Sequence, residues 1–329
     1  MRRRELIGLI GCVSTWPIWA AAQPGGKVWR VGFLTPRSRP IPPGRDAFSD
    51  AFLQGMNGLG YSEGKNLVMD WRYADGNYQR LAGFAADLAG MNLPVIVAYG
   101  TAAARALQKA TKSTPIVVAA ALDLVGAGIV ASLARPGGNI TGLSVIDVDI
   151  SAKQLELLRA FSPTLSRVAV LMNPGNPANP AVLKHLEGVA PRIGVTVVAV
   201  QASTPAEIDN ALAEASRGGT SAVIVAADAF FSGQGPRIAD AALRHRLATI
   251  SIYQDQVLAG CLMSYGQDVA EFHRRAAGYV DRRLKGAKTE DLPVEQPTKF
   301  DLIINGKTAA TLGLAIPQEL LVSADKVIE

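Results

Sequence analysis

Short runs of apolar residues alternate with longer amphipathic segments along most of the chain. The first run, 28–34, precedes a segment, 46–59, in which apolar residues recur every three to four positions, and this alternation continues to about residue 252. The short runs predict β-strands and the three-to-four spacing predicts α-helices. Because several strands are apolar at consecutive positions, we expect helices on both faces of mostly parallel sheets.

The alternation falls into two successive halves. The first half ends with a strong turn signal, Arg135-Pro136-Gly137-Gly138, and a short predicted strand over 140–144. The alternation of helices and strands begins again with a predicted helix over 151–161. A short helix is also predicted over 125–132. The fold class predicted from this pattern is α/β, with two doubly wound parallel-sheet lobes.

The last 70 residues contain too few elements for a third domain. A helix over 268–285, a strand over 300–304 and a helix over 308–314 are predicted to pass back between the lobes. Several crossings between two lobes make a hinge with a cleft. We assign 28–145 plus about 262–292 to the first lobe, and 146–261 plus about 293–329 to the second.

Residues 1–22 have the pattern of an export signal. Three arginines precede an uncharged stretch, Leu6–Ala22, which ends in the small residues that a signal peptidase recognises. This pattern predicts cleavage after Ala22 and a periplasmic location. Arg3-Arg4 fits either the twin-arginine or the general export route, and lipidation at Cys12 is a third alternative.

Composition narrows the function classes. The 329-residue chain is 49% hydrophobic and 19% charged, which suits about two ordered domains and excludes general disorder. The net charge of +5 falls to +3 once the leader, with three arginines and one glutamate, is removed. Because the basic residues are scattered, no nucleic-acid partner is predicted.

The sequence lacks motifs for cofactor chemistry. No Gly-x-Gly-x-x-Gly follows the first strand, no Walker-type loop is present, and Gly142-Leu143-Ser144 lacks the second glycine of a nucleophile elbow. The three histidines are far apart, and Cys261 is the one cysteine left after removal of the leader. We therefore predict no cofactor, no metal site and no disulfide.

Candidate ligand contacts follow from the strand ends, because ligands of open α/β sheets bind beyond the carboxyl ends of the strands. Thr101 opens a helix whose N–H groups could hold a carboxylate, and Asp123 and Asp228 could receive an ammonium group from opposite lobes. Each position also has a structural interpretation as a cap, a turn former or a core residue. The full candidate set is Thr35, Thr101, Asp123, Ser144, Asn173, Asp228, Phe230, Tyr253 and Tyr265.

Four segments of the chain resemble a known family. They are Gly60–Leu67 (GYSEGKNL), Ala131–Gly142 (ASLARPGGNITG), Met263–Gly266 (MSYG) and Leu292–Phe300 (LPVEQPTKF). The chain resembles the periplasmic substrate-binding proteins of ABC transporters of the tryptophan/tyrosine-uptake type. The resemblance implies a type I binding-protein fold, with two flavodoxin-like lobes, three crossings and a ligand, favoured to be an aromatic amino acid, in the hinge cleft.

The same resemblance implies partners and site residues. The partners are the permease and ATPase subunits of an ABC importer, and the receptor is expected to be a monomer. The implied ligand contacts are Thr101, Asp123, Ser144, Asn173 and Asp228. Leu124 departs from the family, whose members often have proline after the aspartate that matches Asp123.

Two other function classes stay open. One is an exported α/β enzyme that acts on a small polar metabolite, with Asp123 or Asp228 as general acid or base. The other is a ligand-sensing protein of the same fold. A repressor version of the sensor would need an N-terminal helix-turn-helix, and this chain has an export signal at that position.

Overall fold

The computed structural model describes residues 27–40, 46–145 and 148–329. The predicted leader, its cleavage site after Ala22 and Cys12 lie outside the described residues. The described chain forms two lobes, each built on its own sheet. The α/β fold class predicted from the hydrophobic pattern is confirmed.

The first lobe is built on a five-stranded parallel sheet in the order β2-β1-β3-β4-β5. Its strands are β1 (Trp29–Thr35), β2 (Leu67–Tyr73), β3 (Ile96–Tyr99), β4 (Ile116–Leu122) and β5 (Ile140–Val145). Its helices are α1 (Ala47–Gly58), α2 (Arg80–Gly90) and α3 (Thr101–Ala110). Val31 and Phe33 pack towards α1, whereas Leu34 packs towards α2 and α3. Both faces of the sheet are therefore covered, which explains the unbroken apolar runs.

The second lobe is built on a seven-stranded sheet in the order β12-β11-β10-β9-β8-β6-β7. Its strands are β6 (Arg167–Met172), β7 (Thr196–Gln201), β8 (Ala222–Val225), β9 (Ala248–Ser251), β10 (Met263–Gly266), β11 (Asp301–Asn305) and β12 (Lys326–Ile328). The helices that belong to it are α4 (Val148–Phe161), α5 (Asn179–Val189), α6 (Pro205–Arg217), α7 (Gly235–Arg244), α8 (Gln254–Leu258), α10 (Gly306–Leu312) and α11 (Gln318–Ser323). The β10–β11 pair is antiparallel and the other pairs are parallel.

Among the described elements, the chain passes between the lobes three times. It leaves the first lobe after β5, returns after β10 as α9 (Val269–Leu284), and crosses again before β11. Helix α9 packs on α1 and on β4 of the first sheet. The segment after α9 also stays with the first lobe, since the Thr141 hydroxyl donates to Leu292 O at 2.6 Å and Ser144 N–H donates to Glu295 O at 2.9 Å.

These crossings lie at different residues from the predicted boundaries. Strand β10 falls within the segment 262–292 assigned to the first lobe, yet Met263 pairs with Ile250 of the second sheet. Residues 293–295, assigned to the second lobe, join the first sheet instead. This four-residue strand, Met-Ser-Tyr-Gly, contains one strand-favouring residue, Tyr265, and no β-branched residue, so its composition gives only a weak strand signal.

The predicted short helix over 125–132 is wrong. This segment forms consecutive turns, in which Asp123 O accepts from Ala127 N–H and Leu124 O accepts from Ile129 N–H. Gly128 has a positive φ of 65°, which ends any helical path there. The two glycines at 126 and 128 make this stretch a poor helix despite its apolar spacing.

Helix α9 packs unusually close to α1. A Cβ atom at Gly55 of α1 would lie 2.6 Å from the backbone oxygen of Arg274 and 2.8 Å from the Ala277 side chain. The Tyr61 hydroxyl, just after α1, donates to Asp281 of α9 at 2.9 Å. The glycine therefore lets the returning helix seat against the first lobe, and this contact positions one side of the hinge.

We expect Gly55→Ala to lower the free energy of unfolding by about 1–3 kcal/mol, because the backbone of α9 would have to move away. Gly83→Ala in α2 is the matched control. Its new methyl group meets no atom within 4 Å, so better helix propensity should raise stability by about 0.5–1 kcal/mol. Urea unfolding monitored by circular dichroism measures both. Equal effects of the two variants would contradict the packing argument.

Candidate ligand cleft

The carboxyl ends of the two sheets face each other across a cavity with about 310 Å³ of space free of protein atoms, part of which is open to solvent. The first lobe and the start of α9 supply Tyr99, Gly100, Thr101, Ala120, Ala121, Leu122, Val145 and Val269. The second lobe supplies Asn176, Ala227, Asp228, Ala229, Ile252 and Tyr253. Most of the lining is apolar, and polar groups lie at a few defined points.

On the first lobe, the cavity meets the amino end of α3. Gly100 connects β3 to this helix with a φ of 88°, a backbone conformation that favours glycine. The hydroxyl of Thr101 accepts from Leu122 N–H at 3.1 Å and donates to Leu122 O at 3.3 Å, which ties the helix start to β4. No side chain of the described residues caps α3. The positive end of the helix dipole therefore faces the cavity.

On the second lobe, the cavity meets the carboxylate of Asp228, whose side chain is buried. Its Oδ1 accepts from the backbone N–H groups of Phe230 and Phe231, at 2.9 and 3.3 Å. Its Oδ2 accepts from the Tyr78 hydroxyl at 2.6 Å and from the Asn176 amide at 2.9 Å. The Tyr78 bond crosses from the first lobe to the second.

The carboxyl group of Asp228 is buried and is held by neutral groups. With the Asn173 amide at 3.4 Å, its hydrogen-bond donors number five, and none carries a charge. Burial raises the pKa of Asp228 above its ordinary value, although the hydrogen bonds act in the opposite direction. A positive ligand group beside the carboxylate would supply the missing counter-charge.

Two tyrosines form the aromatic part of the lining. The Tyr253 hydroxyl donates to Asp228 O at 2.9 Å and accepts from Asp228 N–H at 3.0 Å. The Tyr99 hydroxyl donates across the cleft to the Ser232 hydroxyl at 3.1 Å. Burial raises the pKa of Tyr99 to about 12 and that of Tyr253 well above its ordinary value. Both phenols are therefore neutral at physiological pH and act as fixed apolar walls with anchored tips.

Glycines on both lobes allow this close approach. A Cβ atom at Gly76 of the first lobe would lie 2.8 Å from the Phe230 ring, and one at Gly100 would lie 3.0 Å from Ala229. From the second lobe, a Cβ atom at Gly175 would lie 2.8–3.1 Å from Tyr78. Side chains at these positions would therefore hold the lobes apart.

Three of the nine residues predicted from strand ends line the cavity, namely Thr101, Asp228 and Tyr253. Asn173 lies behind them, where its amide donates to Asp228. Thr35 and Ser144 are buried and serve their own lobe, since their hydroxyls accept from Arg37 N–H and Leu124 N–H. The strand-end rule therefore led to the edge of each sheet that borders the cavity.

The other three predicted residues lie outside the lining. Asp123 is exposed, and a φ of 36° turns its carboxylate outward to accept from Gly126 N–H at 2.8 Å. Phe230 is fully buried, because its ring packs on Phe231 in the core of the second lobe. Tyr265 stacks on the ring of Phe300 near a crossing. Of the two predicted ammonium acceptors, the structure thus places Asp228 on the cavity and Asp123 outside it.

The candidate set omits two polar residues of the cavity lining, Tyr99 and Asn176. Tyr99 is the last residue of β3, directly before Gly100, so the strand-end rule applies to it as well. Asn176 lies in the Asn-Pro-Gly-Asn loop after β6, where its amide donates to Ala227 O and Asp228. Its fold-back towards Asp228 depends on contacts distant in the sequence.

Among the described residues, no cluster of three or more His, Cys, Asp or Glu side chains could hold a metal ion. In the same part of the chain, no helix has both the length and the apolar character needed to cross a membrane. The remaining cysteine, Cys261, is buried, and burial raises the pKa of its thiol to about 12.

Comparisons with known proteins agree with this geometry. A sequence model of the family described as ABC transporter substrate binding protein matches residues 41–328. A tyrosine-binding protein of Clostridioides difficile (strain R20291) is 26% identical over 273 residues, covering 83% of this chain and 78% of that protein. A conserved domain protein from Vibrio cholerae aligns with a TM-score of 0.83 and 29% identity, over 92% of this chain and 100% of that chain.

Of two further similar structures, one contains L-Trp and the other is ligand-free and open. An ABC domain from Streptococcus pneumonia in complex with L-Trp aligns with a TM-score of 0.80 at 26% identity, over 91% of this chain and 100% of that chain. A ligand-free, open substrate-binding protein from Clostridium difficile aligns with a TM-score of 0.60 at 25% identity, over 92% of this chain and 99% of that chain. The two structures have nearly the same sequence identity to this chain and cover nearly the same share of it, but the TM-score is higher for the L-Trp complex. The lobes of this chain are therefore arranged more like those of the L-Trp complex. The hydrogen bonds across the cleft agree with a closed arrangement.

We expect Gly175→Ala to shift the protein towards an open arrangement, because the new methyl group would press on Tyr78 of the other lobe. This overlap should destabilise the closed form relative to the open form by about 1–3 kcal/mol. Small-angle X-ray scattering would show a larger radius of gyration. Gly188→Ala in α5 of the same lobe meets no atom within 4 Å, and it should leave the scattering unchanged. The same radius of gyration for both variants would argue against steric control at this contact between the lobes.

Proposed function

The chain belongs to the family of ABC transporter substrate-binding proteins, and we propose that it is a periplasmic receptor that delivers an aromatic α-amino acid to an importer of this class. The observation that carries the proposal is the pairing of two opposite poles across one apolar cavity. The amino end of α3 faces the cavity from the first lobe, and the Asp228 carboxylate faces it from the second.

The two poles match the two charged groups of an α-amino acid. The N–H groups of the first turn of α3 hold the ligand carboxylate, as helix amino ends hold anions in general. Asp228 receives the ligand ammonium and gains the positive partner that its five neutral donors do not provide. Asn176 orients Asp228 through the hydrogen bond between them.

The apolar lining favours an aromatic side chain on that amino acid. The lining includes the aliphatic side chains of Leu122, Val145 and Ile252 and the rings of Tyr99 and Tyr253. The two tyrosine hydroxyl groups are held by hydrogen bonds to Ser232 and to Asp228 O. Aromatic rings bind well against such surfaces because they bury much area and can meet other rings edge to face. The relatives that bind tyrosine and L-Trp support the same ligand class.

The lining also favours a receptor over an enzyme. It contains no His, Cys or Lys that could act as a base or nucleophile at neutral pH. Asp228, the acid or base that an enzyme would need, already accepts five hydrogen bonds. Export through the predicted leader, and docking of the closed receptor on permease subunits, complete the proposed role.

We expect L-Trp, L-Tyr or L-Phe to bind with one-to-one stoichiometry, without turnover, and to raise the melting temperature. Asp228→Asn should weaken this binding about 10- to 100-fold, because a charge-assisted hydrogen bond to the ammonium is lost. The control ligand is the deaminated analogue, 3-(indol-3-yl)propanoate for tryptophan, whose affinity should change little. Isothermal titration calorimetry measures both. If the variant weakens the binding of both ligands equally, Asp228 does not bind the ammonium group. Turnover of any amino acid would refute the receptor role.

Amino-acid affinity should also fall as the pH is lowered. Only the ionised form of Asp228 attracts an ammonium group, and burial raises the pKa at which that form is lost. The fall should therefore begin at a higher pH than an unperturbed aspartate, with a pKa of about 3.9, would require. Titrations from about pH 7 to about pH 4 measure this, and the deaminated analogue should lack the same fall. A pH-independent affinity over that range would contradict the assignment.

A further inference from the structure

A second set of contacts, centred on the Ser232 hydroxyl, joins the lobes beside the cavity. Arg37, in the loop after β1, donates from Nη1 to the Ser232 hydroxyl of the second lobe at 2.6 Å. The same hydroxyl accepts from Tyr99 at 3.1 Å and donates to Ala229 O at 2.8 Å. Because a serine hydroxyl has one donor and two acceptor sites, its capacity is filled only while the lobes are together.

The first lobe holds Arg37 ready for this contact. Its guanidinium lies 4.5 Å from the centre of the Phe48 ring, and its Nε lies 3.8 Å from Oδ1 of Asp46. Burial would raise the pKa of Asp46, but Arg37 and the hydrogen bonds from Ser49 outweigh it and hold that pKa below its ordinary value. Since these partners belong to the same lobe, much of the cost of burying the guanidinium does not depend on closure.

The second lobe presents Ser232 in an equally fixed position. Ser232 lies in a 3-10 turn, Phe231–Gly233, and its N–H donates to Asp228 O at 3.0 Å. Gln256 holds the turn from the other side by donating to Phe231 O at 2.8 Å. A Cβ atom at Gly233 would lie 3.7 Å from the guanidinium, so this residue forms a flat surface against it. Closure therefore joins two groups that need little further ordering.

We propose that Arg37 and Ser232 form an inter-lobe latch, which sets how long a bound ligand stays in the cleft without either side chain lining the cavity. Ligand leaves when the lobes open, and opening breaks the Arg37–Ser232 and Tyr99–Ser232 bonds. Ligand enters an open form in which those bonds are already absent. The latch therefore slows dissociation, and it lowers the association rate only by the fraction of ligand-free protein that it holds closed. This effect on ligand kinetics rests on the receptor function proposed above.

Two variants test the latch by stopped-flow binding of the tightest aromatic amino acid. Arg37→Met keeps an apolar stem over Phe48 and removes the donors, and Ser232→Ala removes the acceptor. Each should speed dissociation about tenfold, and should raise the association rate only as far as the open fraction of the ligand-free protein increases. Combining them should add little, because both remove the same bond. Arg39→Ala is the control, because Arg39 is an exposed arginine of the same loop and should leave both rates unchanged.

A ligand-independent measurement separates failure of the latch from failure of the proposed function. Spin labels at Gln79, which lines the groove between the lobes, and at Ala206, two residues beyond Thr204 on the opposite side of that groove, report the opening of the cleft from exposed positions. They are introduced into a Cys12→Ser background, in which Cys261 is buried and escapes labelling. In the absence of ligand, Arg37→Met and Ser232→Ala should each lengthen the distance distribution relative to Arg39→Ala.

The latch is overturned if neither variant changes the distance distribution, or if ligand dissociates no faster from the variants than from Arg39→Ala. It is also overturned if the variants open the cleft only by melting the first lobe, which circular dichroism would reveal. If no aromatic amino acid binds but both variants still open the cleft, the latch stands and the proposed function fails.

Discussion

The arrangement of this cleft depends on one buried carboxylate. Asp228 lies at the seam of the two lobes, where five neutral donors hold its oxygens and no positive side chain is among them. Neutral donors make the burial of an anion tolerable, yet a charge removed from water is fully stabilised only by an opposite charge. One of those donors, Tyr78, comes from the other lobe. The position of the lobes and the electrostatic state of the site are therefore coupled at a single residue.

Close approach of the lobes is the condition that makes this coupling possible. Gly76, Gly100 and Gly175 leave room for Phe230, Ala229 and Tyr78 of the facing lobes, at separations that a side chain would forbid. A further glycine, at position 55, lets α9 seat against α1 after it returns from the second lobe. These four glycines thus set how closely the two lobes approach each other and how closely α9 approaches α1.

The sequence predicts the architecture well because apolar runs and helical spacing are local signals. It also predicts which edge of each sheet borders the cavity, where Thr101, Asp228 and Tyr253 are found. It does not predict side-chain direction in loops. Asp123 and Asp228 both follow strands, but a positive φ turns Asp123 outward, while the N–H groups of the next turn draw Asp228 inward. The latch is harder still to foresee, since Arg37 and Ser232 are 195 positions apart.

The distribution of the two poles explains how a small ligand could select the closed form. The amino end of α3 belongs to the first lobe and Asp228 to the second, so a zwitterion completes both of its charged contacts only when the lobes are together. A ligand shifts a conformational equilibrium only by its difference in affinity for the two states. A molecule with the carboxylate alone makes its contact in either state and has little such difference. The deaminated analogue should therefore occupy the cleft without the full closing effect, and closure itself becomes part of the selectivity for amino acids.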